Sequence, residues 1–321
     1  MFWTVRGVAA GLMAGVSIAA LAQPFPARPV YLISQFPPGG QTDVIARLLA
    51  PKLAESTGQP FVVENRVGAA GIIGADYVAK SPADGYTVLV GNNSLVTNTV
   101  MRHDLPFDLM KDLVPVAMVA SVPLALAVHP SVQARSVKEL VALIRSRPGK
   151  WAYSSCGAST PMHLTGELFK QYTKLDILHV PYKGCGPAIR DGVGGQVPIL
   201  FNNFSGLMAQ DKGGKLRVLA VASAKRSTVE PGIPTIAEAG YEGFEASIWI
   251  GFLVPAGTPR EIVQKLNTEL NKAARLPRIR EQLRTQLMEY HSMTPNEFSA
   301  LIRSDIAKWS KVVRDAHLKA K

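Results

Sequence analysis

Nine apolar, largely β-branched runs alternate with helical stretches along this chain, and few architectures accept such a pattern. The runs are Val30 to Gln35, Phe61 to Glu64, Tyr86 to Gly91, Val114 to Val128, Trp151 to Ser155, Ile177 to Tyr182, Val197 to Phe201, Leu216 to Ser223 and Ala246 to Val254. Several intervening helices are announced by a Ser or Thr followed three residues later by Glu: Ser136 and Glu139, Thr235 and Glu238, Thr258 and Glu261, Thr294 and Glu297. The last two of these place a proline at the first helical position. The alternation predicts an α/β chain with parallel sheets and crossover helices. Val114 to Val128 carries Pro115 and Pro123 and reads as two strands or one long strand, not a helix. Pro51 falls inside the first helical pattern and predicts a kink or an early end there.

Within this frame the segment Val30 to Leu53 carries the strongest site signal. Its strand is followed by Phe36-Pro37-Pro38-Gly39-Gly40-Gln41-Thr42-Asp43 and then by Val44, Ile45, Leu48, Leu49 and Leu53 at helical spacing. Pro37 and Pro38 stiffen the exit from the strand, and Gly39 and Gly40 let a ligand approach the backbone. Thr42 is the expected N-cap, which would aim free N–H groups and the positive end of the helix dipole at an anion over the loop. Turns of this kind also occur in parallel α/β proteins without a ligand. The loop lacks Gly-Lys-Ser/Thr and Gly-x-Gly-x-x-Gly, so a small carboxylate fits better than a nucleotide.

At the amino end, Arg6 precedes an apolar run from Gly7 to Leu21 that closes in Ala20-Leu21-Ala22. One positive charge, a short apolar core and a small-x-small ending describe a secretory signal peptide, residues 1–22, cleaved near Ala22. Without Arg6 the 35 Lys and Arg fall to 34 against 24 Asp and Glu, so the exported chain carries 34 − 24 = +10. A basic exported protein favours anionic partners, although many of these charges are equally explained as solvated helix faces. Its length suffices for two domains. The tail from Thr258 to Lys321 is helical, basic and without a strand of its own, so it is expected to pack back on the first sheet. A discontinuous first domain follows, with residues 23–122 and 249–321 in lobe 1 and residues 123–248 in lobe 2.

Three further loops resemble the first: Asn92-Asn93-Ser94, Cys156-Gly157-Ala158-Ser159-Thr160-Pro161, and Tyr182-Lys183-Gly184-Cys185-Gly186-Pro187. In open α/β sheets ligands sit outside the carboxyl ends of the strands, where such loops gather. Four of them divided between two domains describe a cleft. Lys183 is the one cation in the four loops, and none contains Arg.

The segments PARPVYLISQFPPGGQTDVIARLLA, GQPFVVENRVGAAGIIGADYVAKSPADGYTVLVG, HVPYKGCGPAIRDGVGGQV and PTIAEAGYEGFEASIWIGFLVPAGTP resemble the Bug/TctC family, extracytoplasmic receptors of tripartite tricarboxylate transporters. The resemblance runs from about Phe25 to the C-terminus. It implies a two-lobed type II periplasmic-binding fold, each lobe a mostly parallel sheet flanked by helices and joined by two hinge strands. It further implies a monomeric, periplasmic solute-binding receptor without cofactor, metal or catalytic residues, which delivers a small organic acid to membrane permease subunits. Carried onto this sequence, the ligand-binding positions are Pro38, Gly39, Gly40, Thr42, Asp43, Asn93, Ser94, Ser155, Gly157, Ser159, Thr160, His163, Tyr182, Lys183, Gly184 and Asn202. The chain departs from the pattern at Cys156-Gly157-Ala158-Ser159, at Asn202 in place of Asp, and at Pro51. Asn202 offers no charge to an ammonium group, which favours a dicarboxylate, tricarboxylate or aromatic acid over an amino acid.

Cys156 and Cys185 follow two strands expected to be neighbours in the second lobe, and in an oxidising compartment they are candidates for a disulfide. The competing reading pairs Cys156 with His163, or Cys185 with either, as thiol nucleophile and base of an exported hydrolase or transferase. No acidic orienter accompanies them. His103, His129, His163, His179, His291 and His317 lack metal-ligand spacing, and the arginines of the tail have no interleaved aromatics, so neither metal nor nucleic acid is expected.

Overall fold

A computed structural model describes residues 25–318. The signal peptide, residues 1–22, lies outside the described residues. The elements in chain order are β1 (Val30–Ser34), α1 (Gln41–Thr57), β2 (Phe61–Asn65), α2 (Ile72–Ala79), β3 (Thr87–Asn92), α3 (Ser94–Met101), β4 (Leu113–Val128), α4 (Val137–Arg145) and β5 (Ala152–Ser155). They continue with α5 (Pro161–Thr173), β6 (Leu178–Pro181), α6 (Cys185–Val193), β7 (Ile199–Asn203), α7 (Phe204–Asp211), β8 (Arg217–Val221), β9 (Ser247–Pro255), α8 (Arg260–Arg275), α9 (Pro277–Thr285), β10 (Glu289–Tyr290) and α10 (Pro295–Asp315).

All nine expected strands are present, and β4 is one unbroken strand of 16 residues. Its proline at position 115 coincides with a register shift in the ladder, where a missing N–H is tolerated. Strands β2, β1 and β3 pair in parallel, and antiparallel β9 follows them in the sheet. The amino-terminal part of β4 pairs with β9 from Leu113 opposite Pro255 to Pro123 opposite Ser247. Its carboxy-terminal part, Leu124 to Val128, lies between β7 and β8, and β7 continues in parallel into β5 and β6. One strand therefore belongs to two parallel groups, and β9 accompanies it through the crossing. The buried core runs through the crossing as well, because Val122, Ile248 and Trp249 lie in one apolar cluster with Leu32, Tyr153 and Phe201.

Four expectations about local structure are corrected. The N-cap of α1 is Gly40, and Thr42 lies within the helix. The hydroxyl of Thr42 is completely buried and bonds to Ser34 Oγ at 2.9 Å, so it cannot turn back to cap. Of the kink or early end expected at Pro51, the early end does not occur: helix α1 continues to Thr57, because packing against the core outweighs the lost hydrogen bond. Thr258 does not close a capping box, since its hydroxyl bonds to Pro255 O at 2.7 Å and Pro259 itself caps α8. The tail does contain a strand, β10, two residues that pair with Ala120 and Ser121 of β4. At Thr294 and Glu297 the expected box is complete.

Candidate functional site

A cavity of about 760 Å³ opens where the segments after β1, β3, β5 and β6 converge with the end of β7. Its wall includes the N-cap or first residue of five helices: Gln41 of α1, Ser94 of α3, Thr160 of α5, Cys185 of α6 and Asn203 of α7. Each helix start presents backbone N–H groups without intrahelical partners and the positive end of a dipole, so their convergence favours an anion. The remaining wall is largely apolar, and Ile248 of β9 contributes to it directly. The loop after β5 is built for this role. Pro161 at the first helical position and Thr160, whose Oγ1 accepts from the His163 N–H at 3.3 Å, fix the start of α5.

Of the positions singled out from the sequence, Gly39, Gly40, Ser94, Ser159 and Thr160 line the cavity. Pro38 is exposed beside it, and Thr42 is buried behind it. Asp43 also faces away from it: its carboxylate accepts the Gly39 N–H at 2.9 Å, Asn65 Nδ2 at 2.8 Å and Arg47 Nε at 3.0 Å. Burial alone would raise the Asp43 carboxyl, but these partners hold it below the ordinary carboxylate value.

Asn93 is committed to the interior: its Oδ1 accepts from the Trp249 N–H at 2.5 Å, and its Nδ2 donates to Asp305 at 3.1 Å. Asn202 is fully buried, and its Oδ1 accepts from the Asn203 N–H at 2.8 Å, leaving Asn203 as the residue of β7 on the cavity wall.

In the second group of loops, Ser155, Gly157 and His163 form a layer beneath the wall. Ser155 Oγ bonds to His179 Nε2 at 2.7 Å, and His163 Nδ1 accepts from the Ser159 N–H at 3.2 Å. The two imidazoles stack with centroids 3.9 Å apart. Burial pushes both histidines down, and the neighbouring His163 and Lys170 contribute to the fall of His179 to about 3. Gly157 adopts φ 145°, and a Cβ there would lie 3.1 Å from Tyr182 O. Tyr182 turns outward to donate to Asp191 at 2.8 Å, while Lys183 is exposed and, like Gly184, is not part of the wall.

Residues missed by the sequence reading complete the wall, above all Arg102, Asn98, Met101, Met162 and Ile248. Arg102 adds to the wall a cation from outside the four loops. It follows the last residue of α3 rather than a glycine loop and forms a two-pronged pair with Asp104 at 3.0 and 3.1 Å. A second layer was also missed: Gln35 Nε2 donates to Asn92 at 3.1 Å and Ser94 at 2.7 Å, orienting both wall residues. A Cβ on Gly71 would press on the Gln35 side chain at 3.0 Å, and one on Gly74 would meet Arg66 O at 2.9 Å and the Gln35 backbone at 3.1 Å.

Cys156 and Cys185 are joined in a disulfide with Cα atoms 4.3 Å apart, and both line the cavity. In that state neither sulfur is a thiolate, which removes the nucleophile required by the hydrolase or transferase reading.

A sequence model of the family described as "Tripartite tricarboxylate transporter family receptor" matches residues 45–318. The chain belongs to this family. Its relatives include Protein BugT of Bordetella pertussis, 40% identical over 310 residues, with 96% of this chain and 95% of the relative covered. Among solved structures, R. palustris Rpa4515 with adipate shares 38% identity at a TM-score of 0.80, covering 91% of this chain and 98% of the other. MatC from Rhodopseudomonas palustris with bound malate shares 30% identity at a TM-score of 0.75, covering 90% and 100%. At these identities and scores the family's two-lobed periplasmic-binding fold is that of this chain.

Proposed function

We propose that this protein is a periplasmic solute-binding receptor that encloses a small organic carboxylate between two lobes and delivers it to the membrane permease of a tripartite tricarboxylate-type transporter. The observation that carries the reading is the convergence of five helix starts on one cavity, an arrangement suited to a carboxylate. The adipate and malate of the two solved relatives agree with it in chemical class. Lobe 1 comprises residues 23–122 and 249–321, and lobe 2 residues 123–248, with the exchange at the pairing of Val122 with Ile248. Residues 1–22 act as the export signal. Among the described residues no helix is long and apolar enough to cross a membrane.

Isothermal titration of the exported chain against a panel of organic acids and amino acids, combined with small-angle scattering, tests the proposal. Binding of at least one carboxylic acid, with a more compact particle in its presence, is the expected result. A panel without a binder, or a tight binder that leaves the particle's dimensions unchanged, would refute the receptor reading or the two-lobe closure respectively.

A further inference from the structure

Hydrogen-bond direction at the end of β3 is fixed by one donor that cannot be reversed. The Ser94 N–H is a backbone group and can only donate, and it meets the Asn92 side chain at 2.9 Å, so the atom of Asn92 that receives it is Oδ1. The Gln35 side chain approaches that same oxygen at 3.1 Å and must therefore present Nε2 to it. The other hydrogen of Nε2 goes to Ser94 Oγ at 2.7 Å. Ser94 Oγ is thus an acceptor toward Gln35, and its own O–H has no acceptor among the described residues. Asn92 likewise gives its oxygen to two donors and keeps Nδ2 without a partner among the described residues. Both Asn92 and Ser94 line the cavity, and Gln35 does not.

Gln35 has no freedom to undo this arrangement. It directly follows β1, whose parallel pairing with β3 brings it beside the end of that strand. The side chain is completely buried, and Gly71, at φ 92°, packs so closely that a Cβ there would lie 3.0 Å from Gln35 Cδ. A residue outside the cavity therefore sets the polarity of two side chains on its wall. Donors held in this way strengthen toward a charged oxygen and oppose a group that brings its own hydrogen, because a hydroxyl fixed by a donor behind it cannot turn to accept in front.

We propose that Gln35 is a positioning residue of the cleft: it turns the Ser94 hydroxyl hydrogen and the Asn92 side-chain N–H groups toward the bound molecule, and it acts on affinity chiefly through Ser94. This rests on the carboxylate-receptor reading. A double-mutant cycle of Gln35→Met, Ser94→Ala and the two combined tests it, by titration calorimetry on the exported chain with adipate as probe, and with malate or citrate should adipate not bind. Gln35→Met keeps the length of the side chain and removes its donors, while Asn92 retains the Ser94 N–H in every variant. Each single change should weaken the probe about tenfold or more, and in the Ser94→Ala background Gln35→Met should cost less than about threefold. An equal cost of Gln35→Met in both backgrounds would mean that Gln35 only supports the loop, and full affinity in Ser94→Ala would mean that the hydroxyl does not donate to the probe. Either result overturns the proposal and leaves the receptor reading standing. If the parent binds none of the three acids, the receptor reading fails and the proposal with it. Should Gln35→Met not fold, the Gln35 side-chain amide protons decide by NMR: two exchange-protected resonances are expected in the unaltered chain, one of them displaced by Ser94→Ala, and free exchange of both with solvent would overturn the network.

Discussion

Replacing both half-cystines, Cys156→Ser with Cys185→Ser, should destabilise the protein by an amount that follows from its topology. The bridge closes a loop of sequence separation 29. Chain-entropy arithmetic gives about 12 cal/mol/K for such a loop, or about 3.6 kcal/mol at 25 °C. With a urea dependence of about 3 kcal/mol/M for a chain of this size, the midpoint should fall by about 1.2 M. The bridge also ties the loop after β5 to the start of α6, two parts of the cavity wall, so carboxylate affinity should weaken together with stability. Protein purified without reductant and titrated in denaturant should contain no free thiol, and urea unfolding of the double serine variant supplies the energy. Two free thiols in the parent, or a loss below about 1 kcal/mol with unchanged affinity, would refute the reasoning.

Asp305→Ala should cost about 2–5 kcal/mol in urea unfolding, because it leaves the Asn93 amide and the Trp249 indole N–H buried without their acceptor; a loss under 1 kcal/mol would mean that water replaces the carboxylate. The depressed His179 binds fewer protons folded than unfolded between its folded value of about 3 and the ordinary 6.5, so its stabilisation is present above pH 6.5 and is lost as pH falls toward 3. Allowing for partial solvent access, unfolding at pH 4 should show a loss of about 1–3 kcal/mol relative to pH 7, diminished in His179→Phe; an equal loss in that variant would place the titration elsewhere. Asn203→Asp should reduce carboxylate affinity at least about tenfold by setting a like charge on the cavity wall, whereas Asn202→Asp should act on stability first; unchanged affinity in Asn203→Asp, measured by calorimetry, would remove β7 from the site.

The strands were legible because their apolar runs and bounding turns are local properties of the sequence, and the start of α10 because Thr294 and Glu297 cap each other within one turn. The same logic misplaced Thr258, whose hydroxyl had a nearer acceptor in Pro255 O. At the site, the glycine loops announced where walls would form but not which side chain would face inward. Side chains alternate along a strand, so an error of one residue reverses the face: Asn202 lies behind the wall and Asn203 on it, and at the end of β3 Asn92 lines the cavity while Asn93 is turned to the interior. Arg102 carried no local signal, since it lies beyond the end of α3 and reaches the cavity only through the packing of that helix. Asp305 was still less accessible, because its bond to Asn93 joins residues 212 positions apart.

That long-range bond bears on where the proposed lobes would pivot. Asn93 Oδ1 takes the Trp249 N–H just beyond the β3 ladder, which ends at Asn92 opposite Ile250, and Asp305 holds both Asn93 and the Trp249 indole from α10. Trp249 is thus fastened to the first group of strands from two directions. Only three residues earlier, the Ala246 N–H donates to Ala222 O at 2.7 Å, fastening the chain to the end of β8. On the companion strand, Val122 and Pro123 make the last pairs with β9, and Leu124 makes the first with β7. Pro123 has no N–H to add to either ladder. On the proposed division, rotation between the lobes would be confined to Val122–Leu124 and Ala246–Ile248. Ile248 is also a wall of the cavity, so a bound ligand would rest against the proposed pivot, and its contacts there would change on closure. A ligand bound at that point would distinguish the proposed open and closed forms by direct contact, which is the differential affinity that ligand-driven closure requires.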